Sequence, residues 1–446
     1  MSLLSLSVQT ILDKQDEYVQ AENYYNGTVE EVFASAAVKR ELAKSGDHYR
    51  VNYAATPVNA VANRLEVTGV TTLSPAAEAV IGSTWQDNNL ELTLTELITK
   101  TLVYGSAYLT VWPDADGTTQ LYYNSPLSTV VLYDPENPRK AVVAAKLWPV
   151  DVDGKPRSRV NLYYADRIEK YLSTSERLPF TVKDSDFEPF IDDETDENGS
   201  VPNEFGVIPV FHFTTGIDQY GRPEHVSAYS CQDMINKMLI SQLASVEHYG
   251  FPTRWMLQGP DGTASDFGDD SEDDELTGAP GEVWSLANIV KVGQFTPADP
   301  KSYIEPYREY VRAMASVTDT PLHYFENTQT NVSGEALRAS EAPLVKKSRT
   351  RQLAIGNTLR RVFMFVLKLN DIDEDVQIQW RQLESIDTKE QWEIAYKKLQ
   401  AGLPVEQILI EQGYDAEVVA QWKANGLLVQ PQLNTDTQPI EGDNAA

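Results

Sequence analysis

Five histidines, one cysteine and 66 acidic side chains carry the chemical potential of this 446-residue chain. His48, His212, His225, His248 and His323 stand far apart, and none has a second histidine or cysteine at ligand spacing, so no zinc shell is expected. Cys231 is alone, which excludes an intrachain disulfide framework and marks it as a small core residue of a helix. The chain contains no Gly-x-Ser-x-Gly turn, no Gly-x-x-x-x-Gly-Lys-Ser/Thr phosphate loop and no His-Glu-x-x-His zinc helix. No catalytic residue, cofactor or metal is therefore expected.

Carboxylates are too abundant for adjacency alone to nominate an acid and a base; a glycosidase pair would have to meet in space. An acidic carbohydrate-active hydrolase using paired carboxylates is the alternative from another functional class. Glu194, Asp196, Asn198 and Gly199 fall near the start of an EF-hand spacing, but Phe205 stands where a bidentate glutamate is needed and Pro202 lies inside the loop. A solvated acidic turn is expected there.

The elements that would hold such groups follow from periodicity. Leu3 to Val38 is helical and polar-rich, broken at Asn26-Gly27, and Thr56 to Leu65 repeats apolar residues at helical spacing. From Leu102 to Phe190 short β-branched and aromatic runs are punctuated by Asp116-Gly117 and Asp153-Gly154, which predicts two hairpins in one antiparallel sheet. Pro223 opens a helix that continues to about Tyr249. Strand-like pieces, Phe251 to Leu257 and Glu282 to Val292, flank an acidic insert from Asp266 to Glu275. A helix resumes near Ser302 and stops at Thr318-Asp-Thr-Pro321. Ser333 is the expected N-cap of a long helix reaching Asn370, with Ile355, Leu359, Val362, Val366 and Leu369 on its buried side. Pro343 inside it predicts a bend or two successive helices. A strand from Val376 to Leu383 and helices at Thr388 to Leu399, Val405 to Gln412 and Ala416 to Ala424 complete an α+β chain.

The formal charge of −29 opposes tight nucleic-acid binding, because nonspecific affinity comes from Lys and Arg replacing counterions on phosphates. An acidic wall along which DNA must slide is a different case, since repulsion there prevents sticking; on composition alone, solubility is the plainer reading of the acidity. No apolar run is long enough to span a membrane, and Met1 to Leu12 has neither a basic n-region nor a small-residue cleavage site, so no membrane partner is expected and assembly is expected in the cytoplasm of the cell that makes the chain.

Four segments carry a family resemblance: Tyr104 to Trp112, Phe205 to Phe211, Gly221-Arg-Pro-Glu-His225 through Gln232 to Lys237, and Ala315 to Tyr324 followed by Asn331-Val-Ser-Gly-Glu-Ala-Leu-Arg-Ala-Ser-Glu341. With the order helix, acidic-looped β module, helix, Pro-interrupted loop and long helix, the chain resembles the portal proteins of tailed bacteriophages, in particular the SPP1-type portal family common in phages of actinobacteria. The resemblance extends to about residue 425.

It implies a portal fold and a ring, usually of twelve subunits, set in the virion at one capsid vertex as a head-to-tail connector. Residues 1–220 would be wing, 221–250 the descending stem helix, 251–301 the clip, 302–318 the ascending stem helix, 319–332 the tunnel loop, 333–370 the long wing helix, 371–425 a wing strand and crown helices, and 426–446 a disordered tail. Tyr324, Asn327, Gln329 and Asn331 would face DNA in the tunnel, offering weak hydrogen bonds without a cation to grip phosphate. Asp261, Asp269, Asp273 and Glu275 of the clip would dock the terminase large subunit and later a head-tail adaptor; major capsid and scaffold proteins are further implied partners. The implied role is a passive conduit for double-stranded DNA, not an enzyme. Arg338, Arg349 and Arg360 recur every eleven residues along one helix face, with Lys346, Lys347 and Arg351 nearby. This basic face is expected to meet acidic surface on the same or a neighbouring subunit; DNA contact is the alternative.

Overall fold

In the computed structural model residues 2–29, 51–114, 116–250, 254–258, 289–294, 301–326, 334–383, 388–411, 419, 422–426 and 428 are described. They belong to two compact units, Met1–Leu383 and Glu384–Ala446. The fold is a mixture of helices and antiparallel sheets, as expected.

The first unit opens with α1 (Leu3–Asn26), whose N-cap Ser2 accepts a hydrogen bond from the Ser5 amide and whose end is fixed by Gly27 at φ +72°. Then come α2 (Ala55–Ala62), strand β1 (Val67–Thr71), α3 (Pro75–Asp87) and α4 (Leu90–Tyr104). Helices α3 and α4 were not anticipated from the sequence, although Ser74 caps the Ala77 amide and Pro75 occupies the first turn, a start signal in plain sight. Leu102 thus ends a helix instead of starting a strand.

The strand region forms two sheets where one was expected. β2 (Ser106–Pro113) and β3 (Thr119–Asn124) join β10 (Val210–Thr214) in the order β10-β2-β3. β4 (Thr129–Tyr133), β5 (Ala141–Val152), β6 (Lys155–Tyr163), β7 (Arg167–Ser173) and β8 (Phe187–Pro189) form the second sheet, with β9 (Ser200–Pro202) also on β7. Both Asp-Gly turns do close hairpins, with Gly117 at φ +81° and Gly154 at φ +74°. The sheets part because Tyr108 of β2 pairs on both sides, with Asn124 and with His212, which uses up its ladder positions.

Helix α5 (Tyr229–Gly250) begins six residues later than Pro223 predicts; Pro223 precedes a short 3-10 turn, Val226–Ala228, because Glu224 and His225 are engaged in tertiary bonds described below. Strands β11 (Arg254–Gln258) and β12 (Ile289–Gln294) pair antiparallel, and α6 (Lys301–Val317) follows. Helix α7 (Gly334–Leu369) runs unbroken through Pro343, so two successive helices are not what forms. β13 (Gln377–Trp380), shorter than expected, pairs with β1.

One apolar core joins α2, α3, α4, the three-stranded sheet and α7 through Leu94, Leu97, Ile98, Phe213, Leu359 and Phe363. A second lies between the first half of α1 (Leu4, Val8, Ile11) and the larger sheet (Val143, Val160, Leu162). Burying each such side chain contributes about 1.5–3 kcal/mol. Among the described residues of the second unit, α8 (Thr388–Gln400) and α9 (Val405–Glu411) bury Ala395 and Ile408. The division at Leu383 falls inside the 371–425 segment.

Candidate functional site

The segment implicated by the resemblance is the antiparallel pair α5 and α6 with the turn that leads into α7. Ile235 of α5 and Val311, Met314 and Ala315 of α6 are buried in one cluster, with Leu239, Tyr307 and Tyr310 against it. The Ser227 hydroxyl donates to the Val317 carbonyl at 3.1 Å, so the start of α5 meets the end of α6. Pro306 sits inside α6, one helical bond weaker for it.

The base of this hairpin is fixed by buried polar groups. Gly105, at φ +82°, and Gly221 approach so closely that a Cβ on Gly221 would collide with the Gly105 carbonyl. Next to this crossing the Glu224 amide donates to the Leu102 carbonyl at 2.8 Å. The Glu224 side chain, 3% exposed, takes Lys347 Nζ at 3.1 Å and Arg351 Nε at 2.7 Å. Lys347 also donates to the Thr318 carbonyl and Arg351 to the Thr215 carbonyl. A cavity of about 310 Å³ opens over these groups, walled by Thr215, Arg222, Val317 and Asp319. Two cations and one carboxylate thereby tie α7 to both feet of the hairpin.

His225 is fully buried and its Nε2–H donates to the Ala21 carbonyl of α1 at 2.9 Å. Burial lowers its pKa to about 4, against the partial restoring effect of that carbonyl. Gln232 accepts from the Tyr53 and Ala54 amides at 2.8 and 3.0 Å, and its amide donates to the Val51 carbonyl. Tyr24 stacks on Tyr229 with ring centroids 3.8 Å apart and donates to Asp233 at 3.0 Å. Burial, then Asp233, raises the Tyr24 phenol well above its ordinary range.

A second clamp holds the turn after α6. Arg64 reaches Glu341 at 3.2 Å, the Tyr324 hydroxyl at 3.0 Å and the Leu383 carbonyl at 2.7 Å, while His323 Nε2 lies 3.5 Å from Glu341. Asp319 takes φ +50° where the chain reverses. Residues 318–326 are thus pinned to α7 from both sides.

Of the DNA-facing set expected from the sequence, Tyr324 is half-exposed and bonded to Arg64. Asn327, Gln329 and Asn331 lie outside the described residues, as do Asp261, Asp269, Asp273 and Glu275 and the capping Ser333. Arg338, Arg349 and Arg360 are all exposed on α7. Arg360 forms a bidentate pair with Asp375 of its own chain, which holds the Asp375 carboxyl below its ordinary range. In the acidic turn Lys170 Nζ lies 2.7 Å from Asp192 and 3.2 Å from Glu194, while Asp196 accepts hydrogen bonds from the Asn198 and Ser200 amides. Among the described residues no group of three His, Cys, Asp or Glu is arranged to hold a metal, and no helix is long and apolar enough to cross a membrane.

Sequence reasoning did not single out Glu224. Its signal was the Gly221-Arg-Pro-Glu-His225 segment, where an acid beside two turn residues precedes a helix that carries little charge of its own.

Two helices flanking a small β pair and followed by a long helix are the order of elements that the resemblance implies for a phage connector subunit. The chain belongs to the phage portal protein family of the SPP1 Gp6-like type, whose family model matches residues 11–426. It is 24% identical over 442 residues to the portal protein of Mycobacterium phage L5, covering 92% of this chain and 85% of that protein. Among solved structures, a chain of the virion of the native gene transfer agent particle matches with a TM-score of 0.45 at 14% identity, over 90% of this chain and 94% of that one. A chain of the neck of the empty gene transfer agent particle gives 0.46 at 14% identity, over 86% and 96%. As a portal protein the chain is a structural component of a phage particle.

Proposed function

We propose that twelve copies of this chain close into a ring at one capsid vertex and form the conduit through which double-stranded DNA is packaged and later ejected. In this reading α5 and α6 are the stem, residues 251–301 the clip that docks the terminase large subunit and then a head-tail adaptor through Asp261, Asp269, Asp273 and Glu275, and residues 319–332 the tunnel loop. Residues 1–220 and 333–370 form the wing, 371–425 a wing strand and the crown, and 426–446 a tail. Major capsid and scaffold proteins surround the ring, which assembles in the host cytoplasm.

The observation that carries this reading is the rooted hairpin. Its helices pack on each other through one apolar seam, and its base is locked by Glu224, Lys347 and Arg351. Such a base transmits force from a docked motor to the ring body without bending at the junction. The clamp of Arg64, Tyr324 and Glu341 fixes the described start of the tunnel loop against the long helix. The charge of −29 favours sliding over sticking, because a net acidic surface repels the phosphates. The ring supplies no catalytic centre of its own; the work of translocation comes from the terminase. Arg338 and Arg349 are assigned to the contact between neighbouring subunits, while Arg360 pairs with Asp375 of its own chain.

Native mass spectrometry with negative-stain imaging tests it. The expected particle has a central hole and a mass near 600 kDa, twelve copies of a 49.9 kDa chain. A monomer that stays monomeric at high concentration, with scaffold protein present, would overturn the ring.

A further inference from the structure

Two long helices of the first unit each leave one face unpartnered, and the two faces are complementary. Helix α7 carries eight Lys and Arg against two Glu, in a chain whose net charge is −29. Its solvent face runs Ala342, Lys346, Arg349, Thr350 and Leu353, with Leu353 64% exposed. Leu344, Ser348, Ile355 and Leu359 hold its other side in the core. Helix α1 has four acids against one lysine. Its solvent face runs Leu6, Asp13, Asp16, Glu17 and Gln20, with Leu6 40% exposed, while Leu4, Val8, Ile11 and Tyr18 are buried behind it. Among the described residues none of Asp16, Glu17, Lys346 or Arg349 has an ion-pair partner, and Asp13 receives only a neutral amide from Gln9.

The spacings match in antiparallel register. Leu6 precedes Asp13 by seven residues, and Leu353 follows Lys346 by seven. Setting Leu6 against Leu353 brings Asp13 opposite Lys346, with Asp16 and Arg349 each about one turn to either side of that pair, and places the small Ala342 opposite Glu17, where two helices need room to approach. Both faces are exposed on one chain, so each is open to a neighbouring copy. A pair of different, mutually complementary faces generates head-to-tail contacts, which close into a ring, whereas a self-complementary face stops at a dimer.

We propose that the acidic face of α1 docks on the basic face of α7 of the adjoining copy, forming the repeating lateral contact of the assembly. This rests on the ring proposed above and names the surface that the basic helix meets. Lys346 and Arg349 are its cations; Arg360 is already engaged with Asp375. Exposed ion pairs are individually weak, so the contact depends on the set of charges and the two leucines acting together.

The test uses two full-length variants, Asp13→Lys with Asp16→Lys, and Lys346→Glu with Arg349→Glu. Each alone sets like charge against like at every contact, and ring yield is expected to fall at least about tenfold. Mixed in equal amounts they restore opposite charge at every contact, and even-numbered rings alternating the two chains should return. Recovery on mixing also shows that both variants are folded. Rings from either variant alone at the wild-type level, or no rings from the mixture, would overturn the assignment while wild-type rings leave the proposed function standing. Wild-type protein that forms no ring under the same conditions would overturn both.

Discussion

Replacing Glu224 by glutamine keeps the side chain's size and removes its charge. It leaves Lys347 and Arg351, 13% and 22% exposed, without their carboxylate. Unit charges about 4 Å apart attract by about 4 kcal/mol at an effective dielectric near 20. Removing one partner of a buried pair costs about 3–5 kcal/mol, because the remaining charge stays desolvated. Lys347 keeps the Thr318 carbonyl and Arg351 the Thr215 carbonyl, so the expected cost lies at the lower end, about 3 kcal/mol. That corresponds to roughly a hundredfold in a local opening constant. The assay is hydrogen exchange of the full-length protein, where the amides of residues 215–229 and 317–321 should exchange roughly a hundredfold faster in Glu224→Gln while those of α4 and β5 hold their rates. Exchange unchanged at the base of the hairpin would refute the claim that this cluster locks it. The converse also follows: replacing Glu224, Lys347 and Arg351 together by apolar residues of similar volume should recover most of the loss, since a buried ion cluster costs about as much to desolvate as it returns.

Gly221→Ala is expected to destabilise the protein by about 3 kcal/mol or to abolish soluble expression, because the Gly105 carbonyl is backbone and cannot step aside; thermal unfolding of the purified variant measures it. Protonation supplies the remaining prediction. His212 is 6% exposed, stacked on Tyr108 at 4.5 Å and bonded to Tyr133 at 2.8 Å, and burial, with Lys14 and Arg361 adding to it, lowers its pKa to about 3. His225 is lowered to about 4, again by burial. Both pKa values lie below the unfolded value, so the unfolded chain binds more protons and stability falls with falling pH. The loss starts near pH 6.5 and grows by about 1.4 kcal/mol per pH unit for each histidine until the folded pKa is reached. Urea titrations at pH 7 and pH 5 should differ accordingly, and His212→Asn should reduce that difference by about half; an unchanged slope would show that His212 is not held neutral.

The amino-acid sequence by itself determined the α+β class, the order of elements from the acidic β module to the long helix, and the family, because these rest on local signals: helical and strand periodicity, Gly and Pro punctuation, and short segments such as Gly221 to His225. It also marked Arg338, Arg349 and Arg360 as one helix face, since eleven residues return to nearly the same side of a helix. Tertiary structure decided the rest. The region from Leu102 to Phe190 splits into two sheets because Tyr108 pairs with Asn124 and His212, a partner more than a hundred residues away that no local pattern announces. Pro223 fails to start α5 because Glu224 and His225 are drawn to α7 and α1, which outweighs the proline's preference for a first turn. Pro343 stays within one helix because Leu344, beside it, is fully buried in the core. The ion cluster at the hairpin base joins residues 224, 347 and 351, and the Arg64 clamp joins 64, 324 and 341: each is a set of ordinary charges in the sequence, and only the packing that removes them from water makes their pairing obligatory.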